Sequence, residues 1–162
     1  MSEENTQRKA SDGEGLSSEG AENSVLERYL TFRTDNLTFG VSTNYIIEII
    51  TNHVITPLPM VPNYVKGVIN LRGQVVPIID IRLRLGKPAI DYTGSSCVIV
   101  LNVDSISIGI IVDSVEQVLD IDYSRISPVP ANNREELVSG MISLPDNNVV
   151  LLLDCETLVN NS

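Results

Sequence analysis

The chain has 162 residues, 21 of them acidic and 11 basic, for a net charge of −10. That balance opposes binding to nucleic acid, which needs a cationic footprint, and to an anionic membrane surface. Hydrophobic residues reach 43% without any Trp and with 4% aromatics. A core is therefore affordable, must be aliphatic, and favours β-structure.

Residues 1–24 are rich in Ser, Glu, Gly and Asn. Such a segment buries too little apolar surface to offset chain entropy, so a disordered acidic tail is expected. The start of the chain lacks the apolar stretch of a secretion signal, and no apolar run approaches the ~20 residues of a membrane helix. A cytoplasmic protein without membrane insertion is the expectation. From Val25 the texture changes. Arg28–Arg33, a turn at Asp35-Asn36, and Leu37–Val41 read as a β-hairpin. Ser42 can cap a short helix through Asn44, Tyr45, Ile46 and Ile49, but the same stretch also reads as a strand with Ile46, Glu48 and Ile50 on one face.

Pro57, Pro59 and Pro62 mark an irregular connector that includes the lone His53. Gly67–Gly86 then reads as a strand, a tight turn at Arg72-Gly73, a second strand and a short helix after Asp80. Pro77 suggests that the second strand is an edge or carries a bulge. Ser96–Val103 and Ile106–Leu119 form another strand pair about Asp104-Ser105. Asn132–Leu137 reads as a short helix. Gly140–Leu153 is a last hairpin about Pro145–Asn148, and Asp154 can cap a terminal helix ending near Val159.

The chain repeats itself. Gly67, Ile69, Leu71, Val75-Val76 and Asp80 return as Gly140, Ile142, Leu144, Val149-Val150 and Asp154, with one extra residue in the turn. Asp35 and Gly40 match Asp104 and Gly109 at identical spacing. Two copies fit a pair of similar small β-subdomains rather than a solenoid. Asp80 and Asp154 then occupy equivalent helix N-caps, which argues against a catalytic pair.

Chemistry is sparse. There is no CxxC, HExxH, Gly-rich phosphate loop or GxSxG elbow, so no catalytic residue, metal or cofactor is expected. Cys97 and Cys155 sit in or beside apolar runs and read as packed thiols. Charges are segregated: Lys66, Arg72, Arg82, Arg84 and Lys87 lie in one segment, and Asp104, Asp113, Glu116, Asp120 and Asp122 in another. Two opposed docking faces would explain this, with Arg82 and Arg84 on the basic one. Arg72 stands at a hairpin tip, where its planar fork could be held against an acid and offered to a partner; Glu48 is the acid chosen for it.

Four stretches together resemble the CheW-like family: VKGVINLRGQVVPIIDIRLRLG (Val65–Gly86), FGVSTNYIIEII (Phe39–Ile50), IGIIVDSVEQVLDI (Ile108–Ile121) and SGMISLPDNNVVLLLDCETLV (Ser139–Val159). The resemblance implies a mainly β fold of two small five-stranded β-barrel subdomains sharing a hydrophobic core, with a few short helices. The domain would span 25–162, with subdomains near 25–92 and 93–162 and strand exchange allowed. It implies a non-catalytic adaptor, monomeric in isolation, that couples the cytoplasmic tips of methyl-accepting chemoreceptors to the regulatory domain of the histidine kinase CheA in membrane-associated arrays. An adaptor of another chemosensory-type pathway is the alternative. Carried over by residue, the contact set is Arg72 and Asn70 of the NLRG motif, Glu48 and Ile46 of the first helix region, the hairpin Gly67, and Val98 and Val118 on groove-lining strands.

Overall fold

The computed structural model describes residues 25–51, 54–129 and 137–160. The acidic tail, His53 and all but the last residue of the helix expected over Asn132–Leu137 lie outside them. Ten strands run in order: β1 Leu26–Thr34, β2 Leu37–Ser42, β3 Ile46–Ile50, β4 Val65–Leu71, β5 Gln74–Asp80, β6 Cys97–Val103, β7 Ile106–Val112, β8 Ser114–Asp122, β9 Val138–Ser143 and β10 Val149–Leu153. Short helices follow the two equivalent aspartates, α1 over Ile81–Arg84 and α2 over Cys155–Asn160. Asp80 Oδ1 accepts from Leu83 N at 3.3 Å and Asp154 Oδ1 from Thr157 N at 3.0 Å, so both act as N-caps.

Three hairpins close through two residues with positive φ: Asp35-Asn36 at 53° and 63°, Arg72-Gly73 at 53° and 82°, Asp104-Ser105 at 52° and 69°. This is the type I′ geometry whose twist matches that of the flanking strands. The ambiguous stretch after β2 divides. Ser42 Oγ accepts from Asn44 N at 3.2 Å and opens a single 3₁₀ turn, Thr43–Tyr45. The β-branched run Ile46–Ile50 then extends as a strand, because paired isoleucines pack better on a pleated surface than around a helix.

The strands form two five-stranded sheets with ladder orders β8-β1-β2-β10-β9 and β3-β6-β7-β5-β4. The orders are the same once β1–β5 are matched to β6–β10. The correspondence reaches single residues: β10 runs parallel to β2 with Leu152 opposite Gly40, and β5 runs parallel to β7 with Ile78 opposite Gly109. At Gly109 a Cβ would lie 2.5 Å from Ile78 Cδ1 and 2.8 Å from Val98 Cγ1, so a side chain there would require both neighbours to shift. β5 is an interior strand rather than an edge. Pro77 nevertheless stands just before its ladder with β7, where only β4 is alongside.

The second sheet is one continuous stretch, Ile46–Val112, and the first is completed from both sides of it. A cut at residue 93 therefore falls inside the second sheet, between β5 and β6. The central core draws on both sheets: Leu30, Phe32, Phe39 and Val41 pack with Ile79, Ile81, Ile99, Leu101 and Ile110. Phe32 and Phe39 stack at 5.5 Å between ring centroids. Each sheet also keeps its own smaller cluster, about Ile69, Ile78 and Val100 in one and Ile142, Val150 and Leu152 in the other.

Candidate functional site

The β4–β5 hairpin presents Arg72 at its tip in a left-handed backbone conformation that a bulky side chain seldom adopts. Asn70 holds the turn, its Oδ1 accepting from Gly73 N at 3.0 Å. Gly67 fixes the base of the hairpin. Its φ is 142°, and a Cβ would lie 2.1 Å from Thr56 O, the carbonyl that accepts the Val68 N–H at 2.9 Å. Only glycine permits that approach. The Thr56–Val68 bridge draws the connector after β3 onto β4, so the two outer strands of the sheet curl toward each other.

That curl brings Arg72 to Glu48. Nη1 lies 2.6 Å from Oε1, with the arginine side chain 73% exposed and the glutamate 25%. Glu48 Oε1 is buried and has no donor aligned on it as a hydrogen bond, so the pair is a close ionic contact that leaves donors of the guanidinium facing outward. A register shift in the β3–β6 ladder between Ile46 and Glu48 accommodates the intervening Ile47, which is exposed. Beside Arg72 a cavity of about 330 Å³ is walled by Ile47, Leu71, Gln74, Val76, Val100 and Ser107.

The other candidate residues divide. Ile46 is half-buried against the central core. Val98 is buried in the second sheet's cluster and lines a separate cavity with Ile50, Ile55 and Ile111. Val118 lies apart, 50% exposed on β8, the outer strand of the other sheet, opposite Leu30. Ile47, Gln74, Val100 and Ser107 were not singled out by the sequence. They meet only because β3, β5, β6 and β7 share a curled sheet, and no local signal encodes that.

The expected basic docking face requires correction. Arg82 is only 11% exposed and is committed internally, Nη1 to Asp35 at 2.8 Å and Nη2 to Asp113 at 2.5 Å. It clamps α1 of the second sheet to the β1–β2 turn of the first. The guanidinium of Arg84 sits 5.3 Å from the centroid of the Tyr64 ring. The acidic strand is also partly answered within the chain, with Asp120 paired to Arg28 at 3.0 Å and Glu116 to Arg33 at 3.8 Å. Segregation along the sequence thus becomes neighbourhood in the fold.

Burial, then the nearby Asp154 and Glu156, pushes the Cys155 thiol up to about 12, which disfavours its thiolate at neutral pH. Among the described residues no three His, Cys, Asp or Glu gather as a metal would require. No helix among them is long and apolar enough to cross a membrane.

Comparison with known proteins agrees with this architecture. The family model described as the CheW-like domain matches residues 28–162. The chain is 32% identical over 140 residues to a Chemotaxis protein CheW of Klebsiella aerogenes, covering 85% of this chain and 84% of that one. It is 40% identical over 101 residues to a Chemotaxis protein CheW of Rhizobium meliloti, covering 62% and 65%. The crystal structure of the scaffolding protein TtCheW from Thermoanaerobacter tengcongensis superposes with a TM-score of 0.75 at 26% identity, over 80% of this chain and 89% of that one. With its paired five-stranded sheets, shared core and NLRG hairpin, this chain belongs to the CheW-like family.

Proposed function

We propose that this chain is a non-catalytic cytoplasmic adaptor that couples the cytoplasmic tips of chemoreceptors to the regulatory domain of the histidine kinase CheA. Family membership supports the chemotaxis scaffold role. The observation that carries the reading further is Arg72. It is held at a strained hairpin tip, anchored on Glu48, yet 73% exposed beside a cavity of mixed polar and apolar walls. Strain at an exposed, anchored residue marks a position maintained for contact rather than for packing. A guanidinium so presented can bond a partner's carboxylate or carbonyl groups while Glu48 fixes its direction.

In this reading Asn70 and Gly67 shape the hairpin, and Ile46, Glu48 and Arg72 form its contact surface. Val98 and Val118 are further groove positions, the first acting through the floor of the second sheet and the second on β8. Repetition of weak contacts in an array supplies avidity, so modest single-site affinity is sufficient. The test is a binding titration of the full chain against the isolated CheA regulatory domain and a receptor-tip fragment, with wild type and Arg72→Ala in parallel. Binding to both, with weaker binding of the folded variant, is the expected result. Undiminished binding by Arg72→Ala would remove Arg72 from the working surface, and binding to neither would overturn the coupling role.

A further inference from the structure

We propose that Met60 is a site of reversible sulfur oxidation, taking one oxygen atom from a peroxide-class oxidant in the folded protein and losing it again to a thiol-driven methionine sulfoxide reductase. The inference stands apart from the coupling role, because it concerns the chemistry of one side chain on the connector between β3 and β4.

The placement of Met60 is the first argument. The connector is held at both ends: Thr56 N donates to Val68 O at 2.8 Å, Val68 N donates to Thr56 O at 2.9 Å, and Val65 N donates to Pro62 O at 3.0 Å. Pro57, Pro59 and Pro62 fix φ along the stretch between. Pro59 and Met60 form a turn in which Met60 has a φ of 60°. Proline followed by a positive φ is the type II pattern, whose second central position ordinarily falls to Gly or Asn because a Cβ is strained there. Met60 occupies it, and its side chain is wholly exposed, at 103%. Neither turn geometry nor packing accounts for a long apolar side chain at that position. Strain retained at an exposed residue points to a use for the side chain, and what Met60 offers to water is a soft, polarizable thioether.

The other sulfur atoms are the second argument. Among the described residues they belong to Met141, Cys97 and Cys155. Cys97 and Cys155 are 7% and 3% exposed. Burial pushes both thiols up, so their thiolates, the forms that peroxide oxidises, are scarce near neutral pH. Met141 is half-buried on β9, where its N–H and C=O are bonded to Ser127. The side chains that ordinarily meet an oxidant first are thus shielded, and Met60 meets it in the open. A thioether has no proton to lose, so access governs its rate.

The step balances without any further reactant. A sulfur lone pair attacks one oxygen of hydrogen peroxide, the S–O bond forms and the O–O bond breaks. The departing hydroxide takes the proton from the transferred hydroxyl, so the thioether is oxidised to the sulfoxide and the peroxide is reduced to water. In the reverse direction two thiols become a disulfide, and the oxygen leaves as water. The added oxygen projects into water, so no packing is lost. A sulfoxide in a core would disrupt it; here an apolar tip becomes a polar one on a turn whose backbone bonds stay in place.

The full chain, isotope-labelled at its methionine methyl groups, is exposed to millimolar hydrogen peroxide at neutral pH and followed by NMR. Met60→Leu, which keeps the apolar bulk without the sulfur, identifies the Met60 signal. Met60 should convert to the sulfoxide at least about tenfold faster than Met141. At that point both cysteines should still titrate as free thiols after unfolding, and the urea midpoint should match that of the untreated protein. Methionine sulfoxide reductases for both epimers, with dithiothreitol, should restore the original signal. Equal rates at Met60 and Met141, loss of a cysteine thiol before Met60 is converted, a lower unfolding midpoint once Met60 alone is oxidised, or a sulfoxide that the reductases leave in place would each overturn the proposal.

Discussion

Replacing Arg82 by Ala tests whether the two sheets are held together by a buried charge rather than by their apolar core alone. Arg82 is 11% exposed and contacts Asp35 at 2.8 Å and Asp113 at 2.5 Å, while those acids retain 29% and 32% exposure. Asp35 N also donates to Asp113 Oδ2 at 3.0 Å, so the acids are neighbours that the guanidinium neutralises jointly. Removing one partner from a fully buried ion pair costs about 3–5 kcal/mol. Water reaches both carboxylates here and screens part of that loss, which lowers the figure to about 2–3 kcal/mol. With a urea slope of about 1–3 kcal/mol per molar, the unfolding midpoint should fall by roughly 1–2 M. Urea unfolding followed by circular dichroism is the assay. Arg82→Lys should recover only part of the loss, because a point charge cannot span both acids as the planar fork does. A loss below about 0.5 kcal/mol for Arg82→Ala, the range of an exposed pair, would refute the clamp.

Two further outcomes follow from the same geometry. Gly67→Ala forces a Cβ within 2.1 Å of Thr56 O at a φ of 142°, so it should break the Thr56–Val68 bridge and lower stability by about 3 kcal/mol or more, read from thermal or urea melts. The Cys155 thiol is raised by burial from its ordinary 9.0 to about 12. The folded state therefore holds a proton that the unfolded chain releases between those values, and stability should fall as pH rises from 9 to 12, by up to about 1.4 kcal/mol per pH unit from this group. Cys155→Ala should flatten that part of the stability profile. An unchanged profile would show that the thiol does not contribute.

Much of the local structure was legible because it is chemically local. Asp35-Asn36, Arg72-Gly73 and Asp104-Ser105 were readable as turns from residue type, and all three adopt positive φ at both positions. Asp80 and Asp154 were readable as caps because their partners lie three residues away. The repeat was also visible in the sequence, and it reappears as two identical ladder orders. What could not be read was which hairpin joins which strands. The parallel pairings of β2 with β10 and β5 with β7 connect distant segments with generic alternating patterns, so the continuity of the second sheet over Ile46–Val112 could not be read from them. Arg82 was read as a docking charge for the same reason: its partners are 47 and 31 residues away. Glu48 was chosen for Arg72 from guanidinium–carboxylate chemistry, and the physical cause of their meeting, the curl of the second sheet, lies outside either segment.

The placement of Ile46–Val112 between the two parts of the first sheet has a consequence for synthesis. As the nascent chain emerges, β1 and β2 appear first but gain β8, their neighbour on one side, only after the whole intervening sheet has been made. At about 5–20 residues per second, that interval lasts several seconds. Phe32 and Phe39 must be shielded from water, and from other nascent chains, throughout it. Their partners Ile79, Ile99, Leu101 and Ile110 all belong to the inserted sheet, so they leave the ribosome earlier than β8 does. The early hairpin can therefore dock on the completed middle of the protein, and the last third of the chain then closes over it.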